Sequence, residues 1–153
     1  MNEWLKHINV DELQYIASPL SLLNSGNEKD TEQAASFLYA EGPQPPMASV
    51  RRQLSHKSSL HSKKEKRLPK KYWEAVKQEI AILICTNDPK YRELRKALNS
   101  AKEKGTNALV ALIASTIAIE FGLTAGAIAG FCAIALNSVL KIGKEAYCSL
   151  RKI

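Results

Sequence analysis

Apolar positions are unevenly spread along this chain. From Asn107 to Leu140 nearly every residue is apolar or small, and Glu120 is the one charge. Phe121-Gly122-Leu123-Thr124 interrupts the run. Gly122 can close a helix in the left-handed conformation, and Thr124 suits the N-cap of the next. The pattern therefore predicts two helices, 107–121 and 125–150, joined by a tight turn as a helical hairpin. The first arm, Ala108 to Ala114, is apolar all round, as in a core helix or a membrane helix. In the second, Gly122, Gly126 and Gly130 recur every fourth residue, as do Ala125, Ala129 and Ala133. That strip lets another backbone come close. Beyond it the arm turns amphipathic: Leu136, Val139, Leu140, Gly143, Tyr147 and Leu150 on one side, Asn137, Lys141, Lys144 and Glu145 on the other. Gly126, Gly130, Leu136, Leu140 and Tyr147 are the candidate interaction residues.

Residues 70–104 carry an ordinary amphipathic pattern. Trp73, Val76, Ile80 and Leu83 recur at three- and four-residue steps, widened by Ala81, Ile82, Ile84 and Cys85. Thr86-Asn87-Asp88-Pro89 ends that helix and starts another, with Asp88 as N-cap and Pro89 at the first helical position. Tyr91, Leu94, Leu98 and Ala101 line one face of the second helix, and Arg92, Glu93, Arg95, Lys96 and Asn99 the other. Gly105 ends it. The fold expectation is all-α: a C-terminal four-helix antiparallel bundle over 70–153 whose core includes the apolar hairpin 107–140.

Upstream the pattern weakens. Residues 1–40 hold short helical signals. Trp4, Leu5 and Ile8 form one apolar group, and Leu13, Ile16, Ala17 and Leu20 another, interrupted at Pro19. Asn24 to Asn27 reads as a loop. Asp30 with Gln33 reads as a helix start, followed by Ala34, Phe37 and Leu38. These short helices dock on the C-terminal core or on a partner; the pattern does not choose. Residues 41–69 read as a disordered linker. Gly42-Pro43-Gln44-Pro45-Pro46 favours extended chain, and the basic, serine-rich run after it has too little apolar surface to offset its ordering entropy.

The chain has 153 residues and a net charge of +7, so an acidic protein surface, anionic lipid or nucleic acid would be attracted to it. Arg51, Arg52, Lys63, Lys64, Lys66 and Arg67 are the candidate contacts to such a partner. No aromatic is interleaved among them, which leaves bases no stacking platform and makes nucleic acid the lesser alternative. Cys85, Cys132 and Cys148 match no metal spacing, and the N-terminus lacks a signal-peptide apolar run. Free thiols in a reducing cytoplasm are the expectation.

Two readings of the hairpin compete. In one it is the buried core of the bundle. In the other it enters an inner membrane, with basic residues at both flanks and both ends cytoplasmic. Each arm falls short of the roughly 20 apolar residues that a span needs. A single crossing over 107–127 would carry Glu120 and the turn into lipid.

The segment Ile84-Cys85-Thr86-Asn87-Asp88-Pro89-Lys90-Tyr91-Arg92-Glu93-Leu94-Arg95, an Ala-rich hairpin, and the ending Leu140-Lys141-Ile142-Gly143-Lys144-Glu145-Ala146-Tyr147-Cys148 together resemble small uncharacterised bacterial helical proteins. These share a CT-x-DPKY-x-x-LR helix start and an ending with Gly-Lys-Glu-Ala, an aromatic and Cys. The resemblance spans about residues 70–150. It implies the helical fold and a place beside larger proteins in mobile or phage-defence gene clusters, and no established activity.

The residues suggest no catalysis. Gly122, Gly126 and Gly130 lack the strand and lysine of a phosphate loop. His56 and His61 lack zinc-ligand partners. His7, His56 and His61 all lie far from the cysteines, so a nucleophile–base pair has no local basis. Glu120 reads as an exposed helix-end carboxylate. The functional expectation is a non-enzymatic helical interaction protein without cofactor or metal, acting on a protein partner or as a homo-oligomer. The alternative is a membrane-associated protein, an anchor or a permeabilising effector.

Overall fold

The structure is a computed structural model that describes residues 3–22, 27–42 and 68–151. Among these, every regular element is helical. A 3-10 turn, Glu3–His7, leads to α1 (Val10–Ile16); a second, Ser18–Leu22, precedes α2 (Glu28–Ser36). Then come α3 (Lys70–Cys85), a 3-10 turn at Pro89–Tyr91, α4 (Arg92–Ser100), α5 (Thr106–Phe121), α6 (Ala125–Ile142) and α7 (Lys144–Arg151).

Local chemistry sets the boundaries. Asp88 caps the turn before α4 by accepting from the Lys90 backbone N–H at 2.9 Å. Gly122 ends α5 in the left-handed conformation, φ 67°, and the Leu123 N–H reaches back to the Ala118 carbonyl at 3.0 Å, the six-residue closure typical of a glycine C-cap. Thr124 has the extended backbone of an N-cap, but its hydroxyl makes no capping bond. The start of α2 lies upstream of the Asp30 expected from sequence. Asn27 is the N-cap and accepts from the Asp30 N–H at 2.8 Å. The expected helix 125–150 is two helices: Gly143, at φ 94°, ends α6 and redirects the chain into α7.

α6 is the axis of the molecule. It packs against α1, α2, α3, α5 and α7, and every residue from Phe131 to Val139 is buried. This overturns the polar placement of Asn137. With neighbours on so many sides, α6 has no solvent face at that level, and Asn137 and Ser138 are enclosed with the leucines. α3 contributes Trp73, Val76, Ile80, Leu83 and Ile84; the Trp73 and Phe131 rings stand 5.6 Å apart.

The N-terminal turns and helices join this same core, which therefore extends beyond the 70–153 bundle expected from sequence. Trp4, Leu5, Ile8, Leu13, Ala17, Ala34 and Ala35 are buried in it. The Asn9 backbone N–H donates to Thr106 Oγ1 at 2.8 Å, and Lys102 pairs with Glu3 at 3.2 Å. The two ends of the segment 43–67 meet: Tyr39 and Leu68 form an isolated parallel bridge, and the Ala40 N–H donates to the Leu68 carbonyl at 2.7 Å. The segment itself lies outside the described residues, as does the expectation of a disordered linker there.

Two further expectations are corrected. Cys85 and Cys148 are joined by a disulfide, so only Cys132, buried in α6, is free. The inference from three free thiols to a reducing cytoplasm loses its basis. Arg95, expected on the solvent face of α4, is buried, because its guanidinium folds back onto the end of α3.

Candidate functional site

The candidate interaction residues do not form one surface. Leu136 and Tyr147 are enclosed in the core. Leu140 is half-buried. A side chain at Gly126 would meet open space, whereas a Cβ at Gly130 would stand 2.8 Å from Leu38 Cδ1. The close approach predicted for the small-residue strip is thus made at Gly130, by this chain's own segment after α2. Arg51, Arg52, Lys63, Lys64, Lys66 and Arg67 lie outside the described residues.

Two exposed apolar features emerge instead. The first is a groove of about 500 Å³ between α4 and α5, lined by Ala97, Ala101, Ala108, Ala111, Leu112 and flanking Ser100, Lys104 and Ser115. Small side chains keep it shallow and open. On α5 the positions Ala108, Ala111 and Ser115 recur at three and four residues, the spacing of one helix face. In a helix apolar on every side the sequence gives no contrast to tell outward from inward. The second feature is the tip of the α5–α6 hairpin. Ile119 is 79% exposed, Gly122, Gly126 and Ala127 are exposed, and Leu123 is half-buried.

Polar clusters bind the elements together. Glu79 accepts from the Tyr91 hydroxyl and pairs with Lys90 at 2.7 Å; Glu120, exposed near the hairpin turn, lies 3.7 Å from Lys90. The Glu79 hydrogen bond raises the Lys90 pKa. Burial, reinforced by the Glu79 carboxylate, raises that of Tyr91. On the other side of α3, Glu32 accepts from Trp73 Nε1 at 3.0 Å and from Lys77 Nζ at 2.6 Å, clamping α2 to α3. Each of these carboxylates is occupied by neighbours, which suits holding helices in register rather than proton transfer. Among the described residues no three His, Cys, Asp or Glu side chains come together as a metal site. Burial raises the Cys132 thiol to about 12, which keeps it a protonated, unreactive core residue.

No family model, no curated protein and no solved structure matches this chain.

Proposed function

We propose that the chain is a non-enzymatic helical docking module that binds a protein partner, or a second copy of itself, through the α4–α5 groove. The observation that carries this reading is the division of apolar surface. Of the two most apolar helices, α6 is wrapped by five neighbours, while α5 turns small apolar side chains outward beside α4. A floor of Ala108, Ala111 and Leu112 offers little steric bulk to an incoming helix, and Lys104 at its edge favours a partner with acidic flanks. The sequence resemblance of residues 70–150 supports a setting beside larger proteins of a bacterial defence-type assembly.

A membrane reading keeps one specific support. α6 is long and apolar enough to cross a bilayer, with 56% of it buried inside the protein, and the hairpin tip exposes Ile119 beside small residues. This favours shallow contact by the tip over a full crossing.

Two exposed positions separate the readings. Ala111→Glu charges the groove floor, and Ile119→Glu charges the tip; neither position is buried. Wild type and both variants are passed over immobilised copies of the chain, exposed to cell extract, and floated with anionic vesicles. The docking reading expects self-association or retained proteins to be lost in Ala111→Glu and kept in Ile119→Glu. Vesicle binding that disappears only in Ile119→Glu would transfer the function to the membrane. An Ala111→Glu protein that retains everything the wild type does would end the groove reading.

A further inference from the structure

α7 is attached differently from the other helices. It has eight residues, too few to hold helical structure in water without packing. Lys144, Glu145, Ala146, Ser149 and Leu150 are exposed, and Tyr147 is its one buried side chain. The Tyr147 hydroxyl finds no hydrogen-bond partner among the described residues, which weakens that seat. Arg151 pairs with Glu28 at 2.7 Å, but the Glu28 side chain is 47% exposed, so solvent competes for the pair. Arg151 also stands over the Tyr147 ring, 4.7 Å from its centroid, and α7 packs on α3 and α6; to these contacts is added a covalent tether, Cys148 to Cys85 at the end of α3. Both cysteines are only half-buried, so a small thiol can reach the bond. Gly143, at φ 94° with open space around it, is the joint between α6 and α7. α6, buried from Phe131 to Val139, packs on α1, α2, α3 and α5 as well as on α7.

We propose that Cys85–Cys148 is a thiol–disulfide exchange site that latches α7, so that reduction lets α7 leave the body at Gly143 while α1–α6 stay folded. A reducing thiolate attacks one sulfur, forms a mixed disulfide with it and expels the other as thiolate. A second thiol of the reductant resolves the mixed disulfide. Both cysteines end as thiols, the reductant leaves as its own disulfide, and two electrons and two protons have been transferred. The apolar faces of α3 and α6 beneath α7 then open to solvent, giving a surface that exists only in the reduced protein.

The test is amide hydrogen exchange on the full chain, oxidised and after native treatment with dithiothreitol, with Cys148→Ser as a permanently opened form. Exchange over 144–151 is expected to accelerate at least about tenfold on reduction. It should match Cys148→Ser and reverse on reoxidation, with 131–139 unchanged. Full protection of 144–151 in the reduced protein would overturn the latch. So would loss of protection at 131–139 together with 144–151, which would make the bond a staple of the whole fold. A bond that resists dithiothreitol in the folded protein would overturn it as well.

Discussion

The guanidinium of Arg95 donates to four carbonyls at the end of α3: Ile82 at 3.2 Å, Leu83 at 3.1 Å, Thr86 at 2.7 Å and Asp88 at 2.8 Å. The last carbonyls of a helix have no partner within it, and a planar, always-charged fork suits a cluster of them as an ammonium does not. Arg95→Ala removes one buried and three part-buried bonds, although Ile82 and Asp88 keep other donors, and is expected to cost about 1–3 kcal/mol in urea unfolding. Arg95→Lys should recover only part of it; full recovery would mean that charge alone, not the fork, closes α3. Little of this could be read from sequence. Arg92, Glu93, Arg95 and Lys96 look alike as a solvated charge run, and what distinguishes Arg95 is its reach to residues up to thirteen positions back. The Asp88 cap is a contrasting case. Its partner lies two residues away, so the Asp-Pro pair announced it.

Elements follow the same division between local and remote causes. The turn at Gly122 was legible because glycine, helix end and threonine adjoin. The break at Gly143 was not, because an amphipathic stripe runs through it and periodicity alone cannot show a φ of 94°. The glycines of the small-residue strip looked equivalent at four-residue spacing, yet they answer to different surroundings. Gly130→Leu must displace Leu38 and is expected to lose about 1–3 kcal/mol through overpacking. Gly126→Ala enters open space in the first turn of α6 and is expected to gain a few tenths to about 1 kcal/mol. Thermal melts of the two variants check both. Equal losses would mean that the entire strip is a close interface, as its spacing alone suggested.

The molecule as a whole keeps several protons that the unfolded chain would release. Burial raises Cys132 from 9.0 to about 12 and Tyr147 from 10.0 to about 12, and it shifts Tyr91 upward too. Above about pH 9 the unfolded state therefore binds fewer protons than the folded state, and stability falls as pH rises. The urea midpoint is expected to decline from pH 9 toward 12, with Cys132→Ala flattening the first part of the decline. A midpoint constant across that range would show that these groups titrate alike in both states. The all-α class was visible in the hairpin and stripe patterns. The place of α6 at the centre was not. Its greasy stretch and the sparse N-terminal signals of Trp4, Leu5, Ile8 and Leu13 reveal their relation only in space, where the latter cover the former.

The bridge between Tyr39 and Leu68 gives the chain a port. Residues 39–40 and Leu68 are held together by one bridge and one hydrogen bond, and the cost of closing a chain between two such fixed points rises only slowly with its length. Inserting a guest sequence there, or severing the peptide there, is expected to change the cargo and spare the vessel: two fragments meeting at that port share one interior, with Trp4 and Trp73 both wholly enclosed in it, so their tryptophan fluorescence should match that of the intact chain.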